Sequence, residues 1–216
     1  MTASTGILMC SIAVSASIVG ALELKSRHHV VTAGFWFEDG MTFELHDPTR
    51  IGGPLTADEE RRIAAISRLE VEQAFAEFRI HVNDRKDALY RVAVSQMIRP
   101  SRGSSVRFSG ASGQSMVFGP LGGSGLVNFH LLAAQAMAFA PPGATRADVV
   151  DAMGRGVGRA AVHEFAHQIL PHGPMHNTQD DASYEFGASN RVAQYYGLMR
   201  WSVAYPALVE RLARRP

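Results

Sequence analysis

Two short runs of β-forming residues open the readable part of the chain. His29-Val30-Val31-Thr32 and Met41-Thr42-Phe43-Glu44-Leu45 flank Glu38-Asp39-Gly40 and predict two strands around a turn. Gly52-Gly53-Pro54 then breaks the chain. Thr56-Ala57-Asp58-Glu59 is a capping box, and it predicts a helix to about Phe78. Ile63, Ile66, Val71, Ala74, Phe75 and Phe78 share one broad arc at helical spacing, with Leu69 off it, so this helix should pack on a sheet. Phe78 to Val82 and Leu89 to Val94 read as the next strands, separated by the polar turn Asn83 to Asp87. In the Gly- and Ser-rich stretch 100–125, Val106-Arg107-Phe108 and Met116-Val117-Phe118 are short strand candidates. Gly119 to Gly125 reads as a loop before an apolar segment, Leu126 to Ala140, which Pro141-Pro142-Gly143 ends. Thr145-Arg146-Ala147-Asp148 caps a second long helix, which Pro171 stops after about Leu170. A third helix is expected from Asp180 or Asp181 to Gly197, and a last helical piece over about Pro206 to Arg214. The fold class is α+β: a small mixed sheet packed on two long helices, with a helical C-terminal part.

Composition narrows this picture in three ways. A chain of 216 residues, 46% hydrophobic and 19% charged, suits one globular domain with a sizeable core. A formal net charge of +1, without a dense basic block, gives no reason to expect a nucleic-acid partner. The single cysteine, Cys10, excludes a disulfide framework and a zinc ribbon, so any metal must be held by His, Asp or Glu. Residues 1–25 read either as a signal or anchor segment or as a buried strand. Gly6 to Leu22 is uncharged and mostly apolar or small, but no Lys or Arg precedes it and Ser and Gly dilute it. Secretion or membrane attachment through residues 6–22 follows if the segment is a signal, and a cytoplasmic location otherwise. No Walker lysine accompanies the glycines, so a phosphate cradle is not expected.

The chemistry concentrates in the second long helix. His163 and His167 are four residues apart and project from one face. Zinc takes neutral imidazole nitrogens at ~2.0–2.1 Å, and this spacing lets two converge on one ion. Glu164 is rotated about 100° from His163, beside the metal without binding it, where it can take a proton from a metal-bound water. His-Glu-x-x-His on a helix is a metalloprotease signature. Val149, Met153, Val157 and Ala160 share the histidine face and put it on the buried side. Two histidines buried beside a carboxylate need a partner, and a metal supplies one.

His163-Glu164-Phe165-Ala166-His167-Gln168 resembles the H-E-L-A-H-Q stretch of the aminopeptidase N family. Tyr184-Glu185-Phe186-Gly187-Ala188-Ser189 is similar to that family's N-E-G-F-A-S segment, and Asp180 matches a family Asp five residues before the ligand Glu. Seventeen residues separate His167 from Glu185, one fewer than in the family. The resemblance implies a gluzincin-like zinc site with a zincin-like fold, residues 26–216 forming the domain, and zinc held by His163, His167 and Glu185. Ser189 would orient a ligand, and a Tyr or His would hold the oxyanion. Tyr196 is taken as that residue, with Tyr184, Tyr195, His172 and His176 as alternatives. The family's G-x-M-E-N amine grip has no counterpart, since Gly119 to Phe129 holds no acidic residue, so aminopeptidase activity is not implied.

Other ligand sets stay open. Thr178 to Tyr184 resembles the aspzincins, in which Asp180 or Asp181 would bind the metal. A metzincin-like set would use His176, although the Gly and His of that pattern are replaced by Leu170 and Gly173. Gluzincin and metzincin peptidases bind extended peptide along an edge strand, so the resemblance implies such an edge here, for which Met116-Val117-Phe118 and Val127-Asn128-Phe129 are candidates. Arg191 is expected to pair with Asp180, Asp181 or Glu185. The function expected is a zinc-dependent peptidase acting on a peptide or protein, with Glu164 as general base. The alternatives are a zinc amidase or esterase, and a non-enzymatic scaffold with a structural His pair.

Overall fold

A computed structural model describes residues 30–97 and 111–215. The segment 6–22 and the strand expected at Val106-Arg107-Phe108 lie outside these. Five strands form one mixed sheet in the order β2-β1-β3-β5-β4: β1 Val31–Phe37, β2 Ile80–Asn83, β3 Tyr90–Ser95, β4 Gly113–Val117 and β5 Gly123–Asn128. All pairings are parallel except β4 with β5, which makes β4 an antiparallel edge strand. The helices are α1 Ala57–Ala74, α2 Phe129–Ala138, α3 Arg146–Ile169, α4 Ala193–Tyr196 and α5 Tyr205–Leu212. This is the expected α+β architecture, a central sheet packed against long helices with a helical C-terminal region, and it is zincin-like. Among the described residues no helix is long and apolar enough to cross a membrane.

Both capping boxes form. Thr56 and Glu59 close one reciprocally at the start of α1, and Thr145 and Asp148 do the same at α3. Each satisfies main-chain donors that a helix start leaves unpaired. The apolar arc of α1 is buried at Ile63, Val71 and Ala74 and continues past the helix end through Phe75 and Phe78, while Leu69 stays exposed. Helix α3 runs between α1 and strands β3, β4 and β5. It is therefore buried nearly all round, from Val149 to Ile169.

The strands around residues 31–45 depart from expectation. β1 continues through Phe37, and Met41 to Leu45 is not a strand. Both edges of β1 are taken, by β2 and β3, so the second run cannot form the expected hairpin with β1. Its apolar residues cover the core instead: Phe43 stacks on Phe37 at 5.3 Å and meets Phe129 edge-on at 5.0 Å. The short connection from β2 to β3 passes over β1 at Gly34. A Cβ there would lie 1.9 Å from the Arg85 carbonyl oxygen, so only glycine lets the chain cross. The segment 126–140 also splits. Gly123 to Asn128 is strand, and Asn128 caps α2 by accepting from the Leu131 N–H at 3.1 Å.

No third long helix forms between Asp180 and Gly197. Asp180 accepts from the Ala182 N–H at 3.0 Å in a tight turn. The chain then runs extended, with the Tyr184 N–H donating to the Arg200 carbonyl at 3.1 Å and the Arg200 N–H to the Ala182 carbonyl at 3.0 Å. Ser183, Gly187, Ser189 and Asn190 offer little helical propensity to oppose this pairing. Only α4 is helical there, and α3 holds it. Arg159 donates to the Ala193 carbonyl at 2.9 Å and makes a bidentate pair with Glu70 of α1, while Arg155 donates to the Tyr195 carbonyl at 2.6 Å.

Candidate metal centre

The last turns of α3 deliver His163, Glu164 and His167 into a cleft of about 510 Å³. Its remaining walls come from β4 and the two residues before it (Ala111 to Ser115, and Val117), from Gln135 of α2, and from His176 and Gly187 to Asn190 of the C-terminal segment. His163 and His167 are partly buried and His176 is exposed. The three Nε2 atoms form a triangle: 2.9 Å between His163 and His176, 3.1 Å between His163 and His167, and 3.2 Å between His167 and His176. Nitrogens bound tetrahedrally to one zinc at ~2.0–2.1 Å stand ~3.3 Å apart, so the triangle has the size such an ion needs.

The protonation pattern points the same way. His163 Nδ1 lies 2.7 Å from the Tyr184 carbonyl oxygen, which only accepts, so Nδ1 carries the proton and Nε2 presents its lone pair to the cluster. Burial pushes the His163 pKa down to about 3, helped by the neighbouring histidines, and burial also lowers His167. Neutral rings are the form that binds a metal. Three ring nitrogens in mutual contact make a poor hydrogen-bond network, since one proton can serve only one neighbour. A cation between them uses every lone pair. The three histidines form a set able to coordinate a metal, and among the described residues it is the one cluster of three or more such groups.

Glu164 is buried beside them, with only 6% of its surface exposed. Burial raises its pKa to about 7, against a smaller lowering contribution from Ser115. β4 sets its position. The Ser115 hydroxyl donates to the Glu164 main-chain carbonyl at 3.0 Å, and a Cβ on Gly113 would fall 2.3 Å from Glu164 Oε1. The strand and the carboxylate approach this closely only because residue 113 has no side chain. Gln168, one turn on, fixes the end of α3 to the sheet. It accepts from the Arg91 N–H at 2.9 Å and donates to the Arg91 carbonyl at 3.0 Å.

Glu185 is placed elsewhere. It is fully buried and lies outside the cluster and the cleft lining. One oxygen accepts the Ser202 and Ala204 N–H groups, both at 2.8 Å, at the entry to α5, and the other accepts the Ser183 hydroxyl. The carboxylate thus ties the C-terminal turns together, and the position in the cluster is taken by His176. His176 holds a left-handed φ of 65°, and its N–H donates to the Glu185 carbonyl at 3.0 Å. Asp180 pairs with Arg200 at 2.8 Å, and neither Asp180 nor Asp181 joins the histidines.

No tyrosine lines the main cleft, and Tyr184 reaches only a small side pocket of about 20 Å³ behind His163 and Glu164. Tyr196 points away and donates to the Ala136 carbonyl at 2.8 Å, the Tyr195 hydroxyl donates to Gln135, and the Tyr184 ring packs on Trp201 at 4.9 Å. The structure therefore gives Tyr196 a packing role, not contact with the cleft. His172 lies outside the lining too. Arg191 binds the Asp181 and Ser183 carbonyls and stacks over Phe186, so it braces the loop through main-chain acceptors, not through the carboxylates expected. Gly113, Ser115, Gln135 and the Tyr184 carbonyl carry no signal in the sequence, because their roles arise only from the strand and loop packed against α3. Of the two edge-strand candidates, Met116 and Val117 do lie on the edge strand, while Val127 and Asn128 lie on β5, inside the sheet. No protein-family model matches the sequence, and no curated protein matches it either.

Proposed function

We propose that the protein is a zinc-dependent peptidase whose metal is held by His163, His167 and His176. The observation that carries this is the triangle of three imidazole nitrogens with a buried carboxylate beside it in an open cleft. This ligand set differs from the gluzincin set in that Glu185 is replaced by His176. It differs from the metzincin pattern in that His176 follows His167 by nine residues.

Zinc in this site supplies Lewis acidity, which polarises a carbonyl oxygen and makes water acidic near neutral pH. Glu164 acts as the general base. Its carboxylate takes one proton from the water, whose oxygen bonds to the carbonyl carbon of the substrate. When the C–N bond breaks, the same carboxyl group gives that proton to the leaving nitrogen. A pKa near 7 suits a group that must accept and then release a proton near neutrality. Gly113 and Ser115 keep the carboxylate at the cleft wall. The Tyr184 carbonyl keeps the His163 lone pair aimed inward. Among the described residues the outer edge of β4 is unpaired; it offers main-chain donors and acceptors to an extended chain, a mode of binding that favours a peptide over a compact ester or amide.

The test is Glu164→Gln. It should keep one zinc per chain and lose peptide cleavage by a factor of about 10² or more, the scale of a lost general base. Cleavage that survives in a zinc-loaded Glu164→Gln protein sinks the mechanism. Wild-type protein that takes up no zinc sinks the metal centre as well, and leaves the histidines as part of a non-catalytic scaffold.

A further inference from the structure

The cleft has a second wall that the proposed chemistry does not use. It consists of Gln135 on α2 and the loop Gly187 to Asn190, and every residue in it is uncharged. Gln135 is fixed at both ends of its amide oxygen. Oε1 accepts the Ser189 hydroxyl at 2.9 Å and the Tyr195 hydroxyl as well. Tyr195 is itself fully buried and stacks on Phe139 at 5.9 Å, so its hydroxyl has no water to turn to. Turning the amide over would exchange the shared acceptor of both hydroxyls for a donor and leave the Tyr195 hydroxyl only Ser189 to donate to. The Gln135 Nε2 donates to nothing among the described residues. It lies in a side chain that lines the cleft and carries two N–H donors, held in place before any ligand arrives.

Resting on the peptidase reading above, we infer that Gln135 is a specificity-determining residue that donates from Nε2 to a carbonyl oxygen in the side chain of a substrate residue next to the scissile bond. The outer edge of β4, unpaired among the described residues, serves the substrate main chain, which leaves the Gln135 wall to read a side chain. A fixed donor among neutral groups suits an uncharged acceptor. Asn and Gln side chains carry one. A Lys or Arg side chain would bring donors to a donor and would lose hydration without gaining a carboxylate partner on this wall. A Leu side chain would leave the amide N–H groups buried and unpaired.

Gln135→Glu tests this directly. The substitution keeps the shape and keeps an oxygen for the Ser189 and Tyr195 hydroxyls, but replaces the donor with a charged acceptor. Cleavage of a defined peptide mixture by the zinc-loaded wild type should be enriched at sites with Asn or Gln beside the cut bond. In Gln135→Glu the preference should move to Lys or Arg, with at least a tenfold change in relative kcat/KM. Peptides differing only by Asn, Gln, Leu or Lys at that position, titrated onto inactive Glu164→Gln and onto Glu164→Gln/Gln135→Glu, should give the same inversion in binding without any turnover. An active Gln135→Glu enzyme with the wild-type profile overturns the inference and leaves the peptidase reading intact. The same profile in both binding series overturns it too. A wild type that loads zinc yet neither cleaves nor binds any peptide overturns the peptidase reading, and the inference with it.

Discussion

Glu185 and His176 make opposite predictions, and the structure sets their sizes. In Glu185→Ala the Ser202 and Ala204 N–H groups lose their shared acceptor, and both sit at a side chain with no exposed surface. A buried donor left unpaired costs ~1–3 kcal/mol, so the two together cost ~2–6 kcal/mol before any cavity is counted. That is a large part of the ~5–15 kcal/mol that stabilises an ordinary domain. Glu185→Gln keeps an acceptor oxygen for the two N–H groups and should lose only ~1–2 kcal/mol, the difference between a charged and a neutral hydrogen-bond acceptor. Neither variant should change the number of zinc ions bound per folded chain. His176→Ala is the mirror image. The ring is exposed, so the metal-free protein should unfold within ~0.5 kcal/mol of wild type, as surface changes do. Its zinc binding should collapse, because one of three protein ligands is gone. Urea unfolding of chelator-treated protein gives the stabilities, and zinc titration gives the stoichiometry and affinity. A folded Glu185→Gln protein that has lost its zinc, beside a His176→Ala protein that binds it at wild-type affinity, would refute this assignment of ligands.

Three further outcomes follow from the geometry. Burial raises the Glu164 pKa from 4.5 to about 7, so the stability tied to its neutral form is complete below pH 4.5 and lost as the pH rises through 7. Metal-free Glu164→Gln, which stays neutral, should therefore gain on the wild type between pH 5 and pH 8, by up to ~3 kcal/mol, and a difference that does not change with pH in urea melts would contradict this. Gly113→Ala puts a methyl group into the Glu164 carboxylate and should cut activity at least tenfold while zinc uptake stays normal, a split that parallel rate and metal assays would detect. Arg159→Met leaves Glu70 without its partner and frees the Ala193 carbonyl, so thermal or urea unfolding should show a loss of ~3–5 kcal/mol, the usual effect of breaking a largely buried pair; a loss under 1 kcal/mol would show that α4 is held by other contacts.

What the sequence reveals tracks how local the cause is. Both long helices were readable because their caps, apolar arcs and stops lie within a few residues of each other. The pair His163 and His167, with Glu164 between, was readable for the same reason, since helical spacing alone puts two rings on one face. The third histidine of the cluster, His176, was not. Glu185 looked suitable by its distance from His167, but its surroundings are set by Ser202, Ala204 and the Arg200 pairing, all far along the chain. The same pairing removed the helix expected after Asp180. Residues 41–45 have strand-like composition, yet a hairpin with β1 needs a free edge of that strand, and both edges of β1 belong to segments far later in the sequence. Gln135 gave no hint because its fixed orientation depends on hydroxyls 54 and 60 residues away.

The placing of β1 also has a cost during synthesis. The strand is made before both of its neighbours, which end only at Asn83 and Ser95. At the usual ~5–20 residues per second, the Ala33, Phe35 and Phe37 segment waits for about 2–9 s before either native partner is complete, and for about 3–12 s before both are. An apolar strand with two open edges is a template for unwanted pairing with other chains. The crossing at Gly34 lengthens that exposure, since β3 cannot settle until the link has passed over β1. Yield from a cell should therefore depend on holdase chaperones and on slow, cool expression more than the stability of the finished fold would suggest.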